Sequence, residues 1–134
     1  MPVYNSKEIP GYTVPQPNER EVKAILAPQL NNCDKATVTL VIIPPNSSTG
    51  MHLHKTSDEI AYIVRGKGEY IEEIDGEKLS MEVNSGMVLH AKAGVRHGVV
   101  NTGVEPLEIF GVFIPPLPEE GPVGEAIRRR KPPV

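Results

Sequence analysis

Three histidines and one glutamate carry the chemistry of this chain. His52, His54 and Glu59 fall close together, His97 follows well downstream, and the whole sequence has only 4 histidines. A His-x-His pair in extended backbone points both imidazoles to one face, because side chains alternate with period two. A third imidazole and a carboxylate from neighbouring strands would complete a nitrogen-rich, oxygen-containing pocket for a divalent transition metal. The step from His54 to Glu59 is odd, so an unbroken strand would place them on opposite faces. The intervening Lys55-Thr56-Ser57-Asp58 has turn composition and must bend or bulge to bring Glu59 round. By the same parity Asp58 is expected to face solvent. The fourth histidine, His90, lies on a strand outside the expected ligand set.

Strands must position these residues. Of 14 prolines, none lies between Asn46 and Glu105, and proline removes a donor from a sheet ladder, so a continuous sheet is expected there. Runs of β-branched residues predict strands over 36–43 and 59–65. A hairpin is predicted over 69–83 around Asp75-Gly76, and further strands over 86–91, 97–102 and 107–114, with an earlier one over 20–26. Many short strands with almost no helical periodicity predict an all-β antiparallel sandwich or barrel. Glu59, Ala61 and Ile63 share one strand face, and His97, Val99 and Asn101 share one face of theirs. If the ligands point inward, small apolar side chains line the cavity beside them. The proline-rich ends read as arms, giving an N-terminal arm over 1–19, a barrel over 20–115 and a basic tail over 116–134. The single helix candidate is 123–130, running into Arg128-Arg129-Arg130-Lys131. Composition reads that end as a solvated tail, with contact to an acidic surface as the alternative.

Composition narrows the class. A chain of 134 residues fits one domain, and a net charge of -3 is not the footprint of a nucleic-acid binder. No run is apolar and long enough to span a bilayer, and residues 1–7 lack the basic-then-apolar pattern of a signal peptide. One cysteine, Cys33, leaves no internal disulfide and is read as a bystander in a turn. A cytoplasmic location is expected.

Two segments resemble the cupin superfamily. Its first motif, Gly-x5-His-x-His-x(3,4)-Glu-x6-Gly, is met by His52, His54, Glu59 and Gly66, with Asn46 at the first glycine. Its second, Gly-x5-Pro-x-Gly-x2-His-x3-Asn, is met by Gly86, Gly94, His97 and Asn101, with Lys92 at the proline. The resemblance covers roughly residues 36–114 and implies a double-stranded β-helix, or jelly-roll, barrel. It also implies that His52, His54, Glu59 and His97 bind a metal. Asparagine tolerates turn geometry at position 46. Lys92 either leaves the loop before His97 less rigid or reaches the pocket mouth.

Three neutral imidazoles and one carboxylate around a divalent ion leave a charge of about +1, which favours an anionic ligand. Manganese, iron or nickel suits a site with open positions, and zinc is the less roomy option. The reading is a metal-dependent enzyme, of dioxygenase or isomerase/lyase type, on a small polar, anionic metabolite. Glu59 is available as a base. The alternatives are a non-catalytic module that binds or senses a small sugar or acid, and a structural or storage barrel. A homodimer is expected through the outward-facing Ile60, Tyr62 and Val64.

Overall fold

The proline-free stretch 46–105 supplies five of the nine strands described, and the sheets extend beyond it on both sides. The structure, a computed structural model, describes residues 2–131. Nine strands follow in order: β1 Tyr12–Val14, β2 Arg20–Leu26, β3 Thr37–Ile43, β4 Asp58–Arg65, β5 Lys67–Ile74, β6 Glu77–Asn84, β7 Val88–Ala91, β8 Arg96–Asn101 and β9 Leu107–Ile114. A helix, α1, spans Gly121–Arg130. One sheet runs β1-β2-β3-β9-β4-β7 and the other β6-β5-β8, with every pairing antiparallel. This is an all-β antiparallel barrel, as the strand pattern predicts, with the jelly-roll arrangement that the resemblance implies. The strand β1 is the addition: three residues between prolines leave no periodicity to read.

The chain changes sheets at Gly66. Its φ is +89°, and a Cβ there would lie 2.7 Å from the Pro106 carbonyl oxygen, so a side chain is excluded on both counts. The β5–β6 hairpin turns at Asp75-Gly76, both with positive φ, as a two-residue loop of this composition requires. Between the sheets Ile43, Ile63 and Leu107 are fully buried, with Val83, Leu89, Val99 and Ile109 around them. Asn101 ties the lower end of the barrel: its Nδ2 donates to the carbonyls of Ile43 and Glu105, each at 2.9 Å, and its Oδ1 accepts from the Gly103 amide. It is a structural residue.

The basic C-terminal segment departs from the solvated tail that composition implied. Ala126 and Ile127 on α1 are fully buried against Val22, Ala24 and Ala27. Arg130 donates to the carbonyls of Ala24 and Ile25, Arg129 lies 5.7 Å over the Tyr12 ring, and Arg128 pairs with Glu119 and Glu125. Lys131 also pairs with Glu119. Charge count hid an apolar stripe one residue in three or four wide. No helix among the described residues is long and apolar enough to cross a membrane.

Truncating Ile127 to alanine removes buried volume at the helix–sheet contact. Urea denaturation of Ile127→Ala should show a loss of about 2–5 kcal/mol, the usual cost of such a core deletion; a loss below about 1 kcal/mol would mean the helix does not dock as described.

Candidate metal centre

Backbone register sets the ligands. The His52 amide donates to the His97 carbonyl at 2.9 Å and the His97 amide to the His52 carbonyl at 2.8 Å. A closed pair of bonds of this kind places two side chains side by side on one face, and the two rings are 4.5 Å apart between centroids. The His54 carbonyl accepts from the Gly94 amide at 2.8 Å, and its ring meets Phe113 edge-on at 4.9 Å. The 55–57 stretch then bends, as the odd step to Glu59 demanded. Buried Ser57 holds the bend by donating to the Pro115 carbonyl at 2.7 Å. Glu59 enters β4 opposite Ala91 and Phe113. A Cβ on Gly111 would lie 3.1 Å from Glu59 Oε2, so that glycine leaves room for the carboxylate.

The four residues converge: their ligand atoms lie within 4.8 Å of one another. Two ligands on one ion, with bonds of about 2.1 Å, are at most about 4.2 Å apart, so only a small contraction is needed. Second contacts orient the rings. His52 Nδ1 donates to the Gly50 carbonyl at 3.1 Å and His97 Nδ1 to the Val95 carbonyl at 2.9 Å. With Nδ1 carrying the proton, each neutral ring keeps its lone pair on Nε2, the arrangement that a metal-ligating histidine requires. His54 Nε2 is buried with no hydrogen-bond partner. A buried, unpartnered lone pair among two imidazoles and a carboxylate is costly unless a cation fills the space between them. The residues present fit a divalent metal.

The protonation preferences agree. Burial, reinforced by the charge of His97, pushes His52 down to about 4. Burial also lowers His54, against the pull of Glu59. At His97 burial disfavours the proton, but hydrogen bonds to Glu59 (Nε2 to Oε1, 3.4 Å) and to the Val95 carbonyl outweigh it and hold the ring above its usual value. Two rings thus stay neutral and ready to ligate, while the third shares the carboxylate that a metal would otherwise hold.

The loop before His97 keeps its shape without the motif proline. The Val95 amide donates to the Lys92 carbonyl at 3.1 Å, Gly94 takes φ +80°, and the Ala93 amide donates to Asp58 Oδ1 at 2.9 Å. Lys92 itself points to solvent and does not line the cavity. At the other altered position, Asn46 takes φ +64°, the turn geometry that asparagine tolerates. Asp58 does face away from the cavity, as parity predicts. It is not idle, though: it pins this loop and pairs with His90 Nε2 at 2.9 Å. That pair lies on the outer surface, so His90 is outside the ligand cluster. The backbone bond from Ala93, then that from His90, lowers the Asp58 pKa.

The ligands sit in a cavity of about 550 Å³. Ala61, Leu89, Val99 and Ile109 form its apolar floor, as the shared strand faces implied. The sequence reading missed Arg20, Lys55, Leu117, Pro118 and residues 120–123, all of which line the cavity. Alternation along β2 could have found Arg20, which shares the inward face of Val22 and Ala24. Cys33 takes no part in the cavity.

Comparison with known proteins places this geometry. Residues 39–113 match the family model described as Cupin domain. An uncharacterised protein of Methanocaldococcus jannaschii is 32% identical over 99 residues, covering 74% of this chain and 76% of its own length. An oxalate-binding protein of Thermotoga maritima is 36% identical over 72 residues, covering 54% of this chain and 56% of its own. Among solved structures, a Thermotoga maritima protein described as a predicted oxalate decarboxylase superposes with a TM-score of 0.71 at 28% identity, over 84% of this chain and 97% of that one. The oxalate decarboxylase of Lactobacillus farciminis, at 20% identity and a TM-score of 0.73 over 83% of this chain and 32% of that one, shares the fold.

If Asp58 pins the loop, the Ala93 amide resonance should report its titration, with a midpoint below the ordinary value of 3.8. The sign follows from a lowered pKa: the contact persists above that midpoint and is lost as pH falls through it. In Asp58→Ala the Ala93 amide should lose its shift and metal affinity should fall about tenfold or more, as when other groups that orient ligands are removed. Unchanged affinity would sink the positioning role.

Proposed function

We propose that this chain, which belongs to the cupin domain family, is a divalent-metal-dependent enzyme acting on a small, anionic carboxylic acid. The observation that carries this reading is the convergence of His52, His54, Glu59 and His97, one of which, His54, holds a buried and unpartnered imidazole nitrogen. Bound there, a divalent ion would supply Lewis-acid or redox chemistry to a chelated acid. Manganese, iron and nickel suit the donor set better than zinc, since four protein ligands would fill zinc's preferred shell. The acid as ligand class is supported by the charge of the site and by the oxalate-binding relative and the neighbour described as a predicted oxalate decarboxylase.

The protein's own groups divide the work. The three imidazoles and Glu59 hold the ion, and the Gly50 and Val95 carbonyls fix two of the rings. Ala61, Leu89, Val99 and Ile109 keep water from the floor, which strengthens charge interactions above it. Glu59 is the carboxylate at the centre of the cluster and the group placed to take up a proton from bound acid. Isomerase/lyase and oxygenase outcomes both fit this arrangement. A second reading, a non-catalytic acid-binding module, is favoured by the relative described as an oxalate-binding protein. Saturable binding without product would select it.

The functional unit is proposed to be a homodimer. Ile60, Tyr62, Val64, Val88, Phe110 and Ile114 are exposed, and Tyr62 lies opposite both Phe110 and Val88, so they form one apolar patch on the outer sheet face.

Elemental mass spectrometry on untagged protein should find close to one divalent transition ion per chain, absent from a His52→Ala, His97→Ala double variant. No metal, or equal metal in both, would overturn the proposal. Because His97 holds its proton above the usual range, the ion must displace that proton at lower pH. Affinity should therefore fall by about tenfold per unit once pH drops below that value. Light scattering at micromolar concentration should give a dimer that Tyr62→Glu converts to a monomer; a native monomer of 14.6 kDa would count against the interface.

A further inference from the structure

Arg20 is a cavity charge without an assigned partner. It opens β2 and shares its inward face with Val22 and Ala24, which lie opposite Val41 and Thr39 on β3. It lines the same cavity as the metal cluster, alongside Thr49. A guanidinium offers five donors. Here one of them, on Nη1, reaches the Asn18 carbonyl at 2.9 Å. Among the described residues no carboxylate lies within ion-pair distance of it, whereas Arg65, Arg96 and Arg128 each face a glutamate. Burial lowers its pKa without any opposing acidic contact. A half-buried, unpaired cation is unfavourable unless something brings it an anion.

The rest of the cavity says what that anion belongs to. One positive pole is the cluster with its ion, at about +1; Arg20 is another. Apolar side chains, among them Val22, Val41, Val99 and Ile109, line the cavity along with them. A volume of about 550 Å³ lies in the range of sites for whole small-molecule ligands, about 300–1,000 Å³. A six-heavy-atom diacid chelating through both carboxylates would leave most of that space unused.

We propose that Arg20 binds a second anionic group of the ligand, so that the preferred ligand is an acid with a metal-chelating head and a separate carboxylate joined by a short apolar segment. The inference rests on the metal-site reading above and adds the ligand class and its recognition residue. Arginine suits the role because its planar fork meets a carboxylate with two parallel bonds.

Calorimetric titration of manganese-loaded protein with matched pairs of acids tests it. 2-Oxopentanoate is compared with 2-oxopentanedioate, and 2-oxohexanoate with 2-oxohexanedioate, with oxalate alongside and metal content measured on every preparation. In the native chain at least one diacid should bind about ten- to a hundredfold more tightly than its mono-acid, the range of a charge-assisted pair, and more tightly than oxalate. Arg20→Gln should abolish that preference while leaving metal content and mono-acid affinity unchanged, and Arg20→Lys should keep part of it. Equal affinities within both pairs in the native chain, no acid binding at full metal content, or a preference that survives in Arg20→Gln would each overturn the Arg20 assignment while leaving the metal site standing. Failure to take up metal would overturn the metal-site reading and this inference with it. Should Arg20→Gln not fold, the native comparison and Arg20→Lys decide: a preference undiminished in the lysine variant counts against the bidentate pair.

Discussion

Two backbone hydrogen bonds between His52 and His97 are the constraint on which this site depends. Each is worth about 0.5–1.5 kcal/mol net, a modest sum, yet they do what no side chain could. They join the loop after β3 to β8, and so lock together two ligand-bearing segments that lie far apart in sequence. The ring-to-ring spacing follows from backbone register rather than from side-chain packing. The other two ligands are fixed from the same frame: Gly94 holds His54 through its carbonyl, and the β4–β9 ladder delivers Glu59 opposite Phe113.

This frame imposes an electrostatic cost. Three imidazoles and a carboxylate are held close in a half-buried space, and their hydrogen bonds to the Gly50 and Val95 carbonyls direct lone pairs inward. Burial keeps His52 and His54 neutral, while His97 keeps its proton more readily because Nε2 can donate it to Glu59. The cluster is therefore preorganised for a cation, because a divalent ion satisfies at once the orphan nitrogen of His54 and the charge of Glu59. The fold supports that cost through a separate apolar layer, Ile43, Ile63 and Leu107, below the ligands.

The strands, the hairpin turn and the four converging residues were legible in the sequence, because period two and turn chemistry are local signals. The bend between His54 and Glu59 was legible too, since parity forbids a straight path. What escaped reading were contacts with distant partners. Asp58 could be placed outside the cavity by parity, but its hold on the Ala93 amide joins residues 35 apart in the chain. The C-terminal helix looked like a solvated tail because four consecutive cations outweigh Ala126 and Ile127 in any composition count, and only the apolar face that Val22 and Ala24 give β2 explains why it docks. Arg20 was hidden by its position at the end of a strand, where a charged residue ordinarily faces water.

The division of labour between barrel and flanks follows from where these groups lie. All four ligands fall within residues 39–113, the stretch that matches the family. Arg20 and the cavity wall formed by Leu117, Pro118 and residues 120–123 fall outside it. The barrel can therefore keep its His/Glu cluster while segments on either side redraw the space above it, which is how one fold comes to host unrelated activities. In this chain the two flanks are not independent of each other. The helix α1 packs on β2 through Val22 and Ala24, and Arg130 donates to the β2 carbonyls of Ala24 and Ile25. The strand that carries Arg20 is thus braced by the segment that closes the cavity. A change in either flank would shift both the wall that carries Arg20 and the mouth, so the shape of the cavity is set by the packing of β2 against α1 as much as by the barrel itself.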